Sequence, residues 1–278
     1  MRHSPFLALS FLCLSLALSA CQGEPTPPSS AQDGAPSVVR WDRDPLNVVF
    51  RADIVGGQRD PFIMRNDIPL CTIYGDGRAV WTVDGPSGTL RVLFDFLSDS
   101  VISDFISELT VVYRIYTYEE RYPLQIPSAS VPTYEQLVVN VNGRRHVTDA
   151  YADWEVGYFD AILRRCRELG RTPRQFIPQG VWVSVQPTRP DPFFPTIYWD
   201  SASAGLDLGA LADGSQRWVE GNLARILWEN VIQIGSGVQF MDNSGLYALA
   251  VQAPGVMRDS APAPADGTSG LATQVVSE

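Results

Sequence analysis

Acid–base and nucleophilic catalysis near neutral pH draws mostly on histidine, cysteine and lysine, and this chain of 278 residues contains two histidines, four cysteines and no lysine. All 21 basic residues are therefore arginine. That composition excludes Schiff-base chemistry, a phosphate-binding loop ending in Lys-Ser/Thr, and the strand lysine of protein kinases. A GC-rich genome accounts for the bias, and the arginines read as solvated surface. His146, three residues before Asp149, is the one histidine outside the N-terminal leader and the candidate general base of a Ser-His-Asp type hydrolase. No Gly-x-Ser-x-Gly elbow accompanies it, and Gly235-Ser236-Gly237 reads as a loop.

Glu119-Glu120, or Asp149, Asp153 and Glu155, offer the carboxylates a glycosidase would need. Neighbours in sequence seldom flank a scissile bond, so they read as solvated charge. One histidine and two widely spaced cysteines do not make a zinc site, and Asp242-Asn243-Ser244-Gly245 reads as a turn, not a calcium loop. No catalytic residue, metal or cofactor is expected. Cys71 and Cys166 are left once Cys13 and Cys21 are assigned to the leader and its cleavage site; they are either a disulfide or two buried thiols, since Cys166 falls on an apolar helix stripe and Cys71 in a strand. Two aromatic sets, Tyr113, Tyr116, Tyr118, Tyr122 and Tyr151, Trp154, Tyr158, Phe159, either pack internally or present rings to a glycan or a protein partner.

The elements that must position these residues follow from periodicity. Residues 70–74 and 78–83 flank Gly75-Asp76-Gly77, a hairpin signal, and are followed by Leu97, Val101, Ile102, Phe105, Ile106 and Leu109 at helical spacing. Residues 136–141 and 144–147 bracket Asn142-Gly143 and precede a second stripe of Phe159, Ile162, Leu163, Cys166 and Leu169, stopped by Gly170. A third cycle has strands at 181–185 and 196–199, a helix opening at Asp213 and burying Val219, Leu223, Ile226 and Leu227, and a closing hairpin around residues 242–245. The expected fold is α+β: an antiparallel sheet built from repeated β-hairpin–helix units, with the helices packed on the sheet. The segment Ile68-Pro69-Leu70-Cys71-Thr72-Ile73-Tyr74-Gly75-Asp76-Gly77-Arg78-Ala79-Val80 resembles a T-x-Y-G-D-G-R hairpin of secreted or lipid-anchored proteins from actinobacteria and related GC-rich bacteria. The resemblance covers about 13 residues. It implies a hairpin and an extracytoplasmic compartment and brings no activity with it.

The N-terminus carries an address. Arg2 and His3 precede an apolar run over residues 6–18, too short to span about 30 Å of hydrocarbon. Leu18-Ser19-Ala20-Cys21 then resembles a bacterial lipobox. The resemblance implies cleavage before Cys21 and acylation of its thiol and new amine, a palmitate-type anchor; two or three chains at about 0.8 kcal/mol per buried methylene hold a protein durably on a bilayer. Gln22 is not the aspartate of inner-membrane retention, so in a diderm organism the outer membrane is the destination. The chain thus divides into a signal peptide (1–20), a Pro/Ser-rich disordered tether (21–40), a globular body of one domain or two similar halves (41–257) and a disordered tail (258–278).

With 31 acids against 21 bases the net charge is −10, which argues against gripping phosphate backbones, so no nucleic-acid partner is expected. The sequence points to a lipid-anchored extracytoplasmic protein that binds an envelope protein or glycan without catalysis. The alternatives are an envelope hydrolase using His146 and nearby acids, and a solute-binding lipoprotein. Cys21→Ser is expected to move the protein from the detergent phase to the aqueous phase in Triton X-114 partitioning; retention in the detergent phase would rule out attachment through this thiol.

Overall fold

The computed structural model describes residues 39–120, 132–234, 237–259 and 262–264. The leader, Cys21, most of the tether, Tyr122, Gly235-Ser236 and most of the expected tail lie outside the described residues. No described helix is long and apolar enough to cross a membrane.

Two sheets organise the body. Strands β1 (Val48–Gly56), β2 (Cys71–Tyr74), β3 (Arg78–Asp84), β4 (Leu90–Phe96), β5 (Thr133–Val141), β6 (Arg144–Asp149) and β7 (Arg174–Gln175) form an antiparallel sheet ordered β6-β5-β1-β2-β3-β4-β7. Strands β8 (Gly180–Pro187), β9 (Thr196–Tyr198), β10 (Gln216–Glu220), β11 (Gln239–Asp242) and β12 (Gly245–Gln252) form the second, ordered β10-β8-β12-β11-β9, in which only β9 and β11 run parallel. The helices are α1 (Asp99–Val111), α2 (Tyr158–Arg167), the single turn α3 (Ser201–Ala204) and α4 (Gly221–Trp228), the last running into a π turn at Glu229–Gln233.

The first sheet is buried on both faces. On one side Cys71, Ile73, Ala79 and Trp81 meet Ile102, Phe105 and Ile106 of α1 and Phe159 and Ile162 of α2. On the other, Tyr74, Val80, Val92 and Phe94 share a core with Val181, Val183 and Val251 of the second sheet and Leu227 and Trp228 of α4. A strand covered on both faces has no solvent side to make polar, which is why every residue of β2 is buried. The helices form where sequence periodicity puts them: the side chain of Ser98 caps α1 by accepting from the Val101 amide, and α1 buries Ile102, Phe105, Ile106 and Leu109. The turn between β5 and β6 has both central residues, Asn142 and Gly143, at positive φ (54° and 69°), as a tight hairpin requires.

The mixed α+β class with mostly antiparallel pairing is as the sequence implies, but the single expected sheet of repeated hairpin–helix units is instead two sheets, one of them with a parallel pair, and three further details differ. A further strand, β4, separates the first hairpin from α1, and it pairs along its whole length with β3. The expected helix opening at Asp213 is instead the strand β10, paired with β8 through Val219 and Val181; the helix begins after it, at Gly221. Asp213 accepts a hydrogen bond from the Ser215 amide (2.9 Å), a local turn that competes with helix capping. The body also reaches beyond residues 41–257 at both ends. The Arg40 amide bonds Asn142 Oδ1 at 2.8 Å, and Arg258 is a structural residue rather than tail. Its guanidinium donates to Asp53 (2.6 and 3.0 Å) and Asp67 (3.1 Å), tying the end of the second sheet to β1. Composition cannot reveal such a tie, because one side chain carries it.

Cys71 and Cys166 are joined in a disulfide, with Cα atoms 6.4 Å apart and a sequence separation of 95. Both are also fully buried, but as a bridge and not as the two buried thiols of the alternative reading. Closing so long a loop removes denatured-state entropy worth about 4–5 kcal/mol in the chain-entropy model. A Cys71→Ala/Cys166→Ala variant is expected to be less stable by about 3–5 kcal/mol, seen as a lower urea midpoint; a midpoint unchanged from the parent would mean that the bridge does not form in the native protein.

Candidate functional site

Members of the two aromatic sets, separate in sequence, meet around Tyr158, whereas Tyr151 packs on Tyr134 instead. After α1 the chain turns through the 3-10 segment Ile115–Thr117 and brings Tyr113, Tyr116 and Tyr118 against β6 and the start of α2. Tyr158, in the first turn of α2, is the hub: its hydroxyl donates to the Tyr113 carbonyl at 2.9 Å, and its ring centroid lies 6.1 Å from Tyr113, 5.1 Å from Tyr118 and 5.4 Å from Trp154. Trp154 stacks nearly parallel on Phe159 and donates its indole N–H to Thr148 Oγ1 (3.0 Å). Edge-to-face rings of this kind add to what burial alone provides. Disulfide-linked α2 holds the hub in register with the sheet, because Cys166 and Tyr158 share one helix.

The outer part of this face is apolar and open. Tyr116 is exposed, and Val111, Val112 and Val156 are 74%, 68% and 107% exposed. The valines stand in the two segments that the Tyr158–Tyr113 hydrogen bond ties together. Burial pushes the Tyr158 phenol well above the ordinary tyrosine range, with the nearby Tyr118, Tyr113 and Glu155 adding to the effect. Burial likewise raises Tyr116, against the opposing charge of Arg144.

His146 belongs to this face, but not as half of a dyad. Its Nε2 lies 3.0 Å from the Ile115 carbonyl, and its ring is 4.9 Å from Tyr116. In β6 it pairs with Val139, on the helix-covered side of the sheet, whereas Asp149, an odd number of residues on, projects from the opposite side. Asp149 is buried and accepts from the Tyr151 amide at 2.9 Å. The carboxylates also stay apart: Asp153 and Glu155 are exposed, and Glu120 accepts from Gln136 at 3.4 Å. Asp242 closes the β11–β12 turn by accepting from the Ser244 and Gly245 amides (2.7 and 3.1 Å). Among the described residues no three of His, Cys, Asp and Glu are grouped to hold a metal ion.

Sequence reading missed a second polar surface. On β8 the order Val181-Trp182-Val183-Ser184-Val185-Gln186 alternates strictly, so Trp182, Ser184 and Gln186 point away from the core that buries the three valines. That alternation was the available signal. No protein-family model, curated protein or solved structure matches this chain.

The raised tyrosines carry a pH consequence. A phenol whose folded pKa lies above its unfolded value of about 10 keeps its proton in the native state after the unfolded chain has lost it, so stability is full below pH 10 and falls as pH rises beyond it. Denaturation midpoints measured from pH 8 to 12 are expected to fall above pH 10, and Tyr158→Phe to flatten that fall in part, leaving the contribution of fully buried Tyr74, which burial also raises. A slope identical in the variant would show that Tyr158 titrates normally.

Proposed function

We propose that the chain is a lipid-anchored protein of the extracytoplasmic face of the cell envelope that binds another envelope protein, without catalysis, through the surface around Tyr158. The single observation that carries this reading is that two distant aromatic stretches meet at Tyr158 and that the segments so joined carry three strongly exposed valines, Val111, Val112 and Val156. A soluble monomer leaves single apolar residues exposed freely, but a cluster rimmed by polar groups marks a contact surface. Aromatic anchors surrounded by smaller apolar residues are the usual composition of binding hot spots, and valine offers little to a sugar ring, which favours a protein partner over a glycan here. The lipobox motif at Cys21 supplies the anchor and, in a diderm organism, an outer-membrane address. In this reading the two hairpin–helix units form the frame, each presenting the end of its helix to the shared face. The separation of His146 from Asp149 across the sheet weakens the hydrolase alternative, since a general base needs its orienting carboxylate within hydrogen-bond reach.

A photo-crosslinking residue at position 156 in intact cells is expected to give one discrete protein adduct, and the same probe at exposed Arg189 none. Val112→Asp/Val156→Asp, with the fold unchanged by circular dichroism, should reduce capture of that partner at least about tenfold, the weight of roughly 1.4 kcal/mol at a hot spot. Equal adducts at both positions, or none at 156, would refute the assignment of this face.

A further inference from the structure

The outer face of the second sheet carries a different surface, and it points to a ligand. Cross-strand register places Gln216 of β10 and Ala250 of β12 on either side of Ser184. In the next row Trp218, Trp182 and Gln252 stand side by side, and Gln186 follows Ser184 along β8. Three glutamines therefore surround a serine whose neighbour on β12 is only a methyl group. The segment carrying Phe62 and Arg65 lies over them, leaving a pocket of about 650 Å³ lined by Gln186, Gln216, Gln252, Phe62, Arg65 and Asp259.

Two of the lining glutamines are held in place by hydrogen bonds. The Gln216 side-chain amide donates to Gln252 Oε1 at 3.3 Å, and Gln252 donates to the Asp259 carbonyl at 2.7 Å, which orients both groups. Ser184 is 1% exposed, yet its hydroxyl has no partner among the described residues. A buried hydroxyl without a partner carries a desolvation cost that proteins rarely leave unmet. It lies beneath the glutamines and does not line the pocket itself.

We infer that this pocket binds a neutral sugar unit. The amides of Gln186, Gln216 and Gln252 both donate and accept, and so match a ring of hydroxyls that do the same, which a row of charges would not. Phe62 in the wall offers a ring surface to the apolar face of a pyranose. The ionic groups of the wall, Arg65 against Asp60 and Asp259, leave it without the positive surplus that an anion would need, and the whole chain is acidic. The site shares no residue with the face around Tyr158, so it stands or falls independently of the protein-binding reading.

The test is a calorimetric titration of the purified full chain with cellobiose and N,N′-diacetylchitobiose, with glucuronate as the anionic comparison. Saturable binding is expected for at least one neutral disaccharide and none, or much weaker binding, for glucuronate. Gln216→Ala and Gln186→Ala should each weaken it about tenfold, the factor that about 1.4 kcal/mol of lost hydrogen bonding gives. No saturable binding of either disaccharide up to tens of millimolar, binding indifferent to the glutamine variants, or a preference for glucuronate would each overturn the proposal.

Discussion

One buried guanidinium holds the middle of this structure. Arg78 begins β3, is 2% exposed, and lies with its carbon centre 4.7 Å above the ring of Tyr74. It donates to the Pro45 carbonyl at 3.0 Å and faces Asp76 across 3.7 Å. A charge taken out of water costs several kcal/mol unless surrounding groups replace the lost hydration, so the segments that supply those groups are constrained to come to it. The N-terminal strap arrives through Pro45 and through Trp41, whose indole donates to the Gly75 carbonyl (3.1 Å). The C-terminal end arrives at Gly255, where a Cβ would stand 2.6 Å from Nη2 and push the guanidinium away. The Tyr-Gly-Asp-Gly-Arg run is thus a structural keystone, placed where the two cores meet on opposite faces of one sheet.

How much of this was legible depended on whether the signal was local. The Asp-Gly and Asn-Gly turns announced two hairpins, and the three-to-four spacing of Ile102, Phe105, Ile106 and Leu109 announced a helix, because each pattern is read within a dozen residues. The strand β4 was hidden because Leu90, Val92 and Phe94 alternate next to a helical stripe and carry no turn signal as strong as Asp-Gly. Val219 fits a helix stripe and a strand equally well, and its register with Val181 decided the matter. The division into two sheets was not legible at all, since it depends on which strands pair over long distances. A continuous apolar stretch such as Cys71-Thr72-Ile73-Tyr74 does hint at burial on both faces, but not at what lies on the second one.

The same limit governed the sites. Tyr113 and Tyr158 are 45 residues apart, and no sequence pattern reports that the hydroxyl of one strand-flanking helix reaches the carbonyl that ends another. Residue types alone made His146 and Asp149 look like partners, and strand parity puts them on opposite sides of a sheet. That separation could have been read from the hairpin already expected at residues 136–147, given that side chains alternate along a strand. The glutamine-lined surface shows the converse: its members come from β8, β10 and β12, yet the alternation in β8 alone marks which of its residues leave the core.

The positions of the strongest ties are explained by these surfaces. The covalent bond between Cys71 and Cys166 fixes α2 on the sheet and so limits how far Tyr158 can shift relative to Tyr113, a constraint that packing of a ten-residue helix would not impose alone. On the other side, the paired carboxylates Asp53 and Asp67 grip Arg258, and the next residue, Asp259, supplies the carbonyl that orients Gln252. A chain end rich in alanine and proline has little apolar surface with which to dock, and an ion pair of low exposure can hold it where hydrophobic burial cannot. The Trp182 indole adds a second hold by donating to the Pro262 carbonyl at 2.9 Å. Each surface is thus braced by an interaction that does not depend on the surface being occupied. A surface braced in this way needs no ordering before contact, which lowers the conformational-entropy cost of the association proposed for it.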